Sequence, residues 1–71
     1  MANSACVRLG RRIRLLRGKR GWTQQQLADL AEIGRVHVSE LENGRREIGL
    51  LTLERIAATF EMTISELMQG V

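Results

Sequence analysis

The sequence predicts an all-α fold, a compact five-helix bundle forming one domain over residues 1–71. Three observations carry that expectation. Apolar residues recur three and four apart almost throughout, the spacing of helices buried on one face. Thr23-Gln24-Gln25-Gln26 and Thr63-Ile64-Ser65-Glu66 each fit the capping box, in which a Thr hydroxyl accepts from the third backbone amide and the Gln or Glu side chain reaches back to the Thr amide. No stretch alternates polar and apolar residues for long enough to suggest a strand. A chain of 71 residues makes a single domain with a thin core. Such a chain buries only about 60% of the surface that its unfolded form exposes, so association would add to its stability.

Leu9, Ile13 and Leu16 share one face of a first helix, expected over roughly residues 5–17 and closed by the Gly18-Lys19-Arg20-Gly21 stretch. Thr23 opens a second helix. Trp22 just before the cap and Leu27 just inside have the spacing of a hydrophobic staple, so Trp22 is expected to be structural. Leu27, Leu30 and Ala31 are expected to form the buried face. The break Glu32-Ile33-Gly34 is only three residues long. A third helix follows over about residues 35–42 with Val38 and Leu41 inward, and it stops at Asn43-Gly44, both tolerant of the left-handed conformation. A fourth helix, about residues 50–60, buries Leu53, Ile56, Ala57 and Phe60. Thr63 then starts a short fifth helix carrying Ile64, Leu67 and Met68. Two short helices joined by so tight a break make a helix-turn-helix.

Charge is distributed unevenly. Residues 1–46 hold ten Lys or Arg against four acids, and residues 47–71 hold one against four, +6 against −3. A basic front suits a polyanion, though charge runs are often merely solvated. With one cysteine no intrachain disulfide forms, and Cys6 is expected to be a small apolar residue of the first helix. No run approaches the roughly 20 apolar residues of a membrane span, and the charge between Arg8 and Arg20 is wrong for a signal peptide. A cytoplasmic location is the expectation. The lone His37 has no ligand partner for a metal, and nothing suggests a catalytic constellation, so neither enzyme activity nor a cofactor is expected.

Residues 23–31, Ile33, and Val38-Ser39-Glu40-Leu41-Glu42-Asn43-Gly44-Arg45-Arg46 together resemble the Cro/phage-repressor type of helix-turn-helix domain, the lambda-repressor-like fold. The likeness continues through residues 50–57 to Ser65-Glu66-Leu67 and covers roughly residues 9–68. Within that family, residues 42–48 resemble the stand-alone controller proteins of restriction–modification systems. The resemblance implies a transcriptional regulator of double-stranded DNA with its motif core at residues 23–46. It implies base contacts from Arg35, Val36, Ser39 and Glu40, and backbone contacts from Gln24, Asn43, Arg45 and Arg46. His37, on the same helix end, is assigned to phosphate as well. The chemistry fits, since Arg donates to guanine O6 and N7, Val touches a thymine methyl and Glu accepts from cytosine N4. The alternative for Glu40 is an intramolecular partner, Arg35 or Arg11. Arg17 and Glu42 match a pair that forms a salt bridge in many relatives, which makes them structural.

The sequence departs from the family pattern at four positions. Glu32 and Glu61 stand where Gly is usual, and a left-handed non-glycine there costs about 1 kcal/mol. Gly34 replaces the usual Ser or Thr cap, and Ile48 replaces a frequent Pro. One such domain reads only about four to six base pairs, so a homodimer on a palindromic operator is expected. Its interface is expected in residues 48–71, from among Leu50, Leu51, Ile64, Leu67, Met68 and Val71. No small-molecule ligand is expected. The alternative is an antitoxin-like or other protein-interaction module using the same fold, whose expected mark is a partner-binding tail.

Overall fold

A computed structural model describes residues 4–71. Among them run five helices, α1 (Ser4–Arg20), α2 (Gln24–Ala31), α3 (Arg35–Glu42), α4 (Leu50–Thr59) and α5 (Ile64–Leu67), with no strand. The all-α architecture is the one expected, and α3 occupies the expected residues. The first helix runs three residues further at its C-terminal end than its apolar pattern suggests, and one further at its start. Gly18 is exposed and does not break it, because a helix tolerates one glycine at a cost of about 1 kcal/mol. Arg17, Lys19 and Arg20 in the last turn offset that cost by facing the negative end of the helix dipole. The chain turns at Gly21, which has φ +69°.

Both capping boxes form. The Gln26 amide donates to Thr23 Oγ1 at 3.0 Å and the Thr23 amide to Gln26 Oε1 at 2.8 Å. At α5 the Glu66 amide donates to Thr63 Oγ1 at 3.0 Å and the Thr63 amide to Glu66 Oε1 at 2.9 Å. These bonds hold the Glu66 carboxyl below its ordinary range. Trp22 packs on the core, and its ring stacks on Phe60 with centroids 5.5 Å apart. The Arg20 guanidinium lies 5.3 Å from the centroid of the Trp22 ring, adding a cation–π contact at the α1–α2 corner. Glu32 and Glu61 both sit in the left-handed region, each with φ 58°, where the family pattern has glycine.

Ile13, Leu27, Val38, Ile56, Phe60 and Leu67 are fully buried and come from all five helices, so they form one core. Two expectations fail here. Leu30 is 56% exposed, because Leu27, Ala28 and Ala31 centre the buried face of α2 and Leu30 lies roughly 100° away from them. Leu67 is at 0% exposure, which removes it from the interface candidates and makes it the core anchor of α5. Ile64, Met68 and Val71 are half-buried against that core, whereas Leu50 and Leu51 remain exposed.

Part of the basic surface of α1 works inward. Arg12 donates from Nε to the Leu67 carbonyl at 3.2 Å and from Nη2 to the Glu66 carbonyl at 3.0 Å. Arg20 donates from Nη2 to the Phe60 carbonyl at 2.9 Å. These guanidinium groups bond carbonyls at and just beyond the ends of α5 and α4, where helical partners run out; the Glu66 carbonyl also accepts from the Gln69 amide at 3.2 Å. They tie both helices to α1.

Candidate nucleic-acid interface

The geometry of α3 follows from its periodicity. Val38, Leu41 and Glu42 face the protein, so at about 100° per residue Val36 and Glu40 centre the opposite face. Ser39 and Asn43 flank them, and Arg35 stands at the start of the helix. Arg35 and Val36 are exposed, while His37, Ser39 and Glu40 are half-buried. Gly34 caps α3 without a side-chain bond, so the first-turn amides receive no side-chain acceptor there. Beyond α3, Gly44 has φ +67° and reverses the chain, and exposed Arg45 and Arg46 follow at the same end. Asn43 closes the helix with φ −90° and ψ 4°, and its Nδ2 donates back to the Ser39 carbonyl at 2.8 Å.

The support for this surface is a buried carboxylate. Glu42 sits at the end of α3 with no exposed side-chain area. Arg17 donates to it from Nε at 2.6 Å and from Nη2 at 3.0 Å, and also donates from Nη1 to the Trp22 carbonyl at 2.7 Å. Gln24 Nε2 adds a bond to Glu42 Oε1 at 3.1 Å, and Arg14 Nε stands 3.7 Å away. Burial pushes the Glu42 carboxyl up, but the Arg17 and Gln24 hydrogen bonds and the Arg17 and Arg14 charges outweigh it, and the net direction is down. The bond to Glu42 raises the Arg17 guanidinium correspondingly, against its own partial burial. One carboxylate thus locks α1, α2 and α3 together, with bidentate Arg geometry.

Other side chains have partners that local sequence did not indicate. Glu40 Oε1 lies 3.6 Å from Arg46 Nη1, so its intramolecular partner is neither Arg35 nor Arg11. The Gln24 amide is engaged with Glu42 rather than standing free at the helix start. Gly10 went unnoticed in the sequence, yet it is buried where α1 crosses the end of α3. A Cβ there would stand 2.7 Å from the Glu42 carbonyl oxygen and closer still to that of Leu41. A small residue inside an amphipathic helix is a faint sign of such a crossing. Among the described residues no cluster of three His, Cys, Asp or Glu gathers, and no helix is long and apolar enough to cross a membrane.

Comparison with known proteins adds three likenesses. A family model described as helix-turn-helix matches residues 13–67. The competence pilus inhibition repressor of Acinetobacter baylyi is 41% identical over 59 residues, covering 83% of this chain but only 54% of the repressor. The chain thus spans about half the length of that relative. The control protein C.MunI of a Mycoplasma species is 33% identical over 70 residues and is covered over 95% of its length. The crystal structure of the restriction–modification controller protein C.AhdI from Aeromonas hydrophila superposes with a TM-score of 0.88. It has 31% identity, and the match covers 92% of this chain and 98% of that one.

Proposed function

The chain belongs to the helix-turn-helix family, and on that premise we propose that it is a transcriptional regulator that binds double-stranded DNA as a homodimer with α3 in the major groove. The observation that carries this reading is the exposed face of α3. It is held rigidly from behind by the Arg17–Glu42 bridge and flanked by Arg35 at one end and Arg45 and Arg46 at the other. Arg35, Val36, Ser39 and Glu40 are the base-reading residues. Gln24, His37, Asn43, Arg45 and Arg46 are the candidates for the phosphate backbone. The repressor and control-protein names of the relatives support regulation of transcription as the role, and repression in particular.

Size supports a dimer. An eight-residue α3 is about 12 Å long and spans only a few base pairs, and the molecule measures at most 29 Å across. Successive major grooves on one side of a duplex repeat at roughly 34 Å, beyond the reach of one copy. Leu50 and Leu51, 73% and 61% exposed at the start of α4, form an apolar pair suited to a two-fold contact. Half-buried Ile64, Met68 and Val71 remain secondary members of that interface. A symmetric pair of α3 helices implies a palindromic operator, read in the cytoplasm.

Two experiments test the reading. Arg35→Ala is expected to cost about 1–3 kcal/mol on a selected operator and to relax preference at one base pair per half-site. Arg45→Ala is expected to weaken all duplexes alike and to lower the salt slope by about one per subunit. Unchanged binding by both variants would show that the assigned face is wrong. Analytical ultracentrifugation is expected to show a dimer for the parent chain and a monomer for Leu51→Glu. A monomeric parent at high micromolar concentration would remove the dimer.

A further inference from the structure

Glu40 and Arg46 occupy the same exposed surface although six positions separate them in the chain. The link is the turn after α3. The Gly44 amide bonds the Leu41 carbonyl at 3.1 Å and the Arg45 amide bonds the Glu40 carbonyl at 3.0 Å. This folds the chain back and brings Arg46 Nη1 to 3.6 Å from Glu40 Oε1. Both side chains remain partly open to solvent, and the separation exceeds a hydrogen bond, so the pair is exchangeable. Among the described residues, Arg35 and Arg45 form no ion pair. Arg46 is therefore the cation of this surface that meets a duplex already engaged by an acid. That acid lies near the centre of the reading face.

Resting on the placement of α3 in the major groove, we infer that Glu40 makes the phosphate grip of Arg46 conditional on the base beneath it. A carboxylate only accepts hydrogen bonds. In the major groove the donors are the amino groups of cytosine and adenine, whereas guanine and thymine edges offer acceptors. Where the Glu40 carboxylate meets an amino group, it exchanges Arg46 for that donor, and Arg46 turns to a phosphate. Where it meets an acceptor, it keeps Arg46, and the phosphate contact is forfeited. Letting Arg46 go there would leave a carboxylate unpaired among phosphates. Glu40 thus acts against non-cognate DNA as much as for the operator. It selects half-sites with cytosine or adenine at its position.

The test uses the operator selected by the parent protein from a random duplex pool, with a random-sequence duplex of equal length as the reference. Affinities for both are measured across a range of salt concentrations. For the parent, the log–log salt slope is expected to be steeper on the operator by about one phosphate contact per subunit. Glu40→Gln keeps the shape of the side chain and removes its charge. It is expected to tighten binding to the random duplex about tenfold and to equalise the two slopes. Arg46→Ala is expected to equalise them too, by weakening the operator complex and leaving the random one unchanged. Circular dichroism confirms that both variants are folded. If the parent prefers its operator but Glu40→Gln changes neither the random-duplex affinity nor the slopes, the conditional grip is overturned and the DNA-reading assignment stands. If the parent selects no operator, both fall.

Discussion

Arg17→Ala is expected to remove about 3–5 kcal/mol of folding stability, read as a lower denaturant midpoint at neutral pH. A domain of this size has only about 4–10 kcal/mol in all, so the variant is expected to be partly unfolded at moderate temperature. The reason is the Glu42 carboxylate. It has no exposed side-chain area, and Arg17 supplies two of its hydrogen bonds, at 2.6 and 3.0 Å. Without Arg17 it keeps Gln24 at 3.1 Å and Arg14 at 3.7 Å, too little to offset burial of a charge. The Trp22 carbonyl loses its donor at the same time.

The same pair makes stability depend on pH in a defined direction. In the parent the folded-state pKa of Glu42 is lowered below its unfolded value of about 4.3. The bridge therefore contributes fully above that unfolded value, and its contribution is lost as pH falls through the folded pKa. In Arg17→Ala burial, the largest influence on Glu42, is opposed only by Gln24 and Arg14, so the folded pKa is expected to rise and protonation to relieve the defect. The gap between parent and variant is accordingly expected to narrow as pH falls, starting above the unfolded value, where the variant's carboxyl protonates, and continuing below it, where the parent loses its bridge. Urea titrations of both proteins at neutral and acid pH check this. A gap that stayed constant would mean the loss comes from packing alone.

Gly10→Ala is expected to cost about 2–3 kcal/mol, although alanine is the better helix former by about 1 kcal/mol. Its Cβ would meet backbone atoms, 2.7 Å from the Glu42 carbonyl oxygen and closer to that of Leu41, and backbone cannot rotate aside. The crossing of α1 and α3 must open, straining the Arg17–Glu42 bridge beside it. Loss of DNA affinity is expected to accompany the loss of stability. Gly18→Ala is the control, because apart from its own stretch of helix backbone no atom lies within 4 Å of a Cβ there. That change is expected to stabilise the protein by about 0.5–1 kcal/mol. Thermal melts of the two variants should move in opposite directions.

The surface of α3 could be drawn from sequence alone, because one helical period fixes which residues share a face. The side chains behind and beside it could not. Gln24 has the position of a backbone contact, and only the fold turns its amide onto Glu42. Glu40 carries no local mark of its partner, since Arg46 reaches it around a left-handed turn at Gly44. The sequence also misplaced Leu30, which lies off the buried face of its helix, and it did not separate buried Leu67 from exposed Leu50 and Leu51. Which apolar residues of the last two helices are covered depends on how those helices pack, and a single helix holds no record of that.

The amino-acid sequence by itself determined the helical class, both capping boxes and the bounds of α3. Each rests on interactions across three or four residues, which the chain specifies wherever it folds. Only the tertiary structure decided how α1 is used. Arg12 reaches a carbonyl 55 positions away, Arg20 one 40 away, and Arg17 a carboxylate 25 away. Those bonds exist because packing the apolar faces brings distant helix ends together. Three of the basic residues of the first helix therefore hold the other helices in place, a role that their charge alone does not reveal.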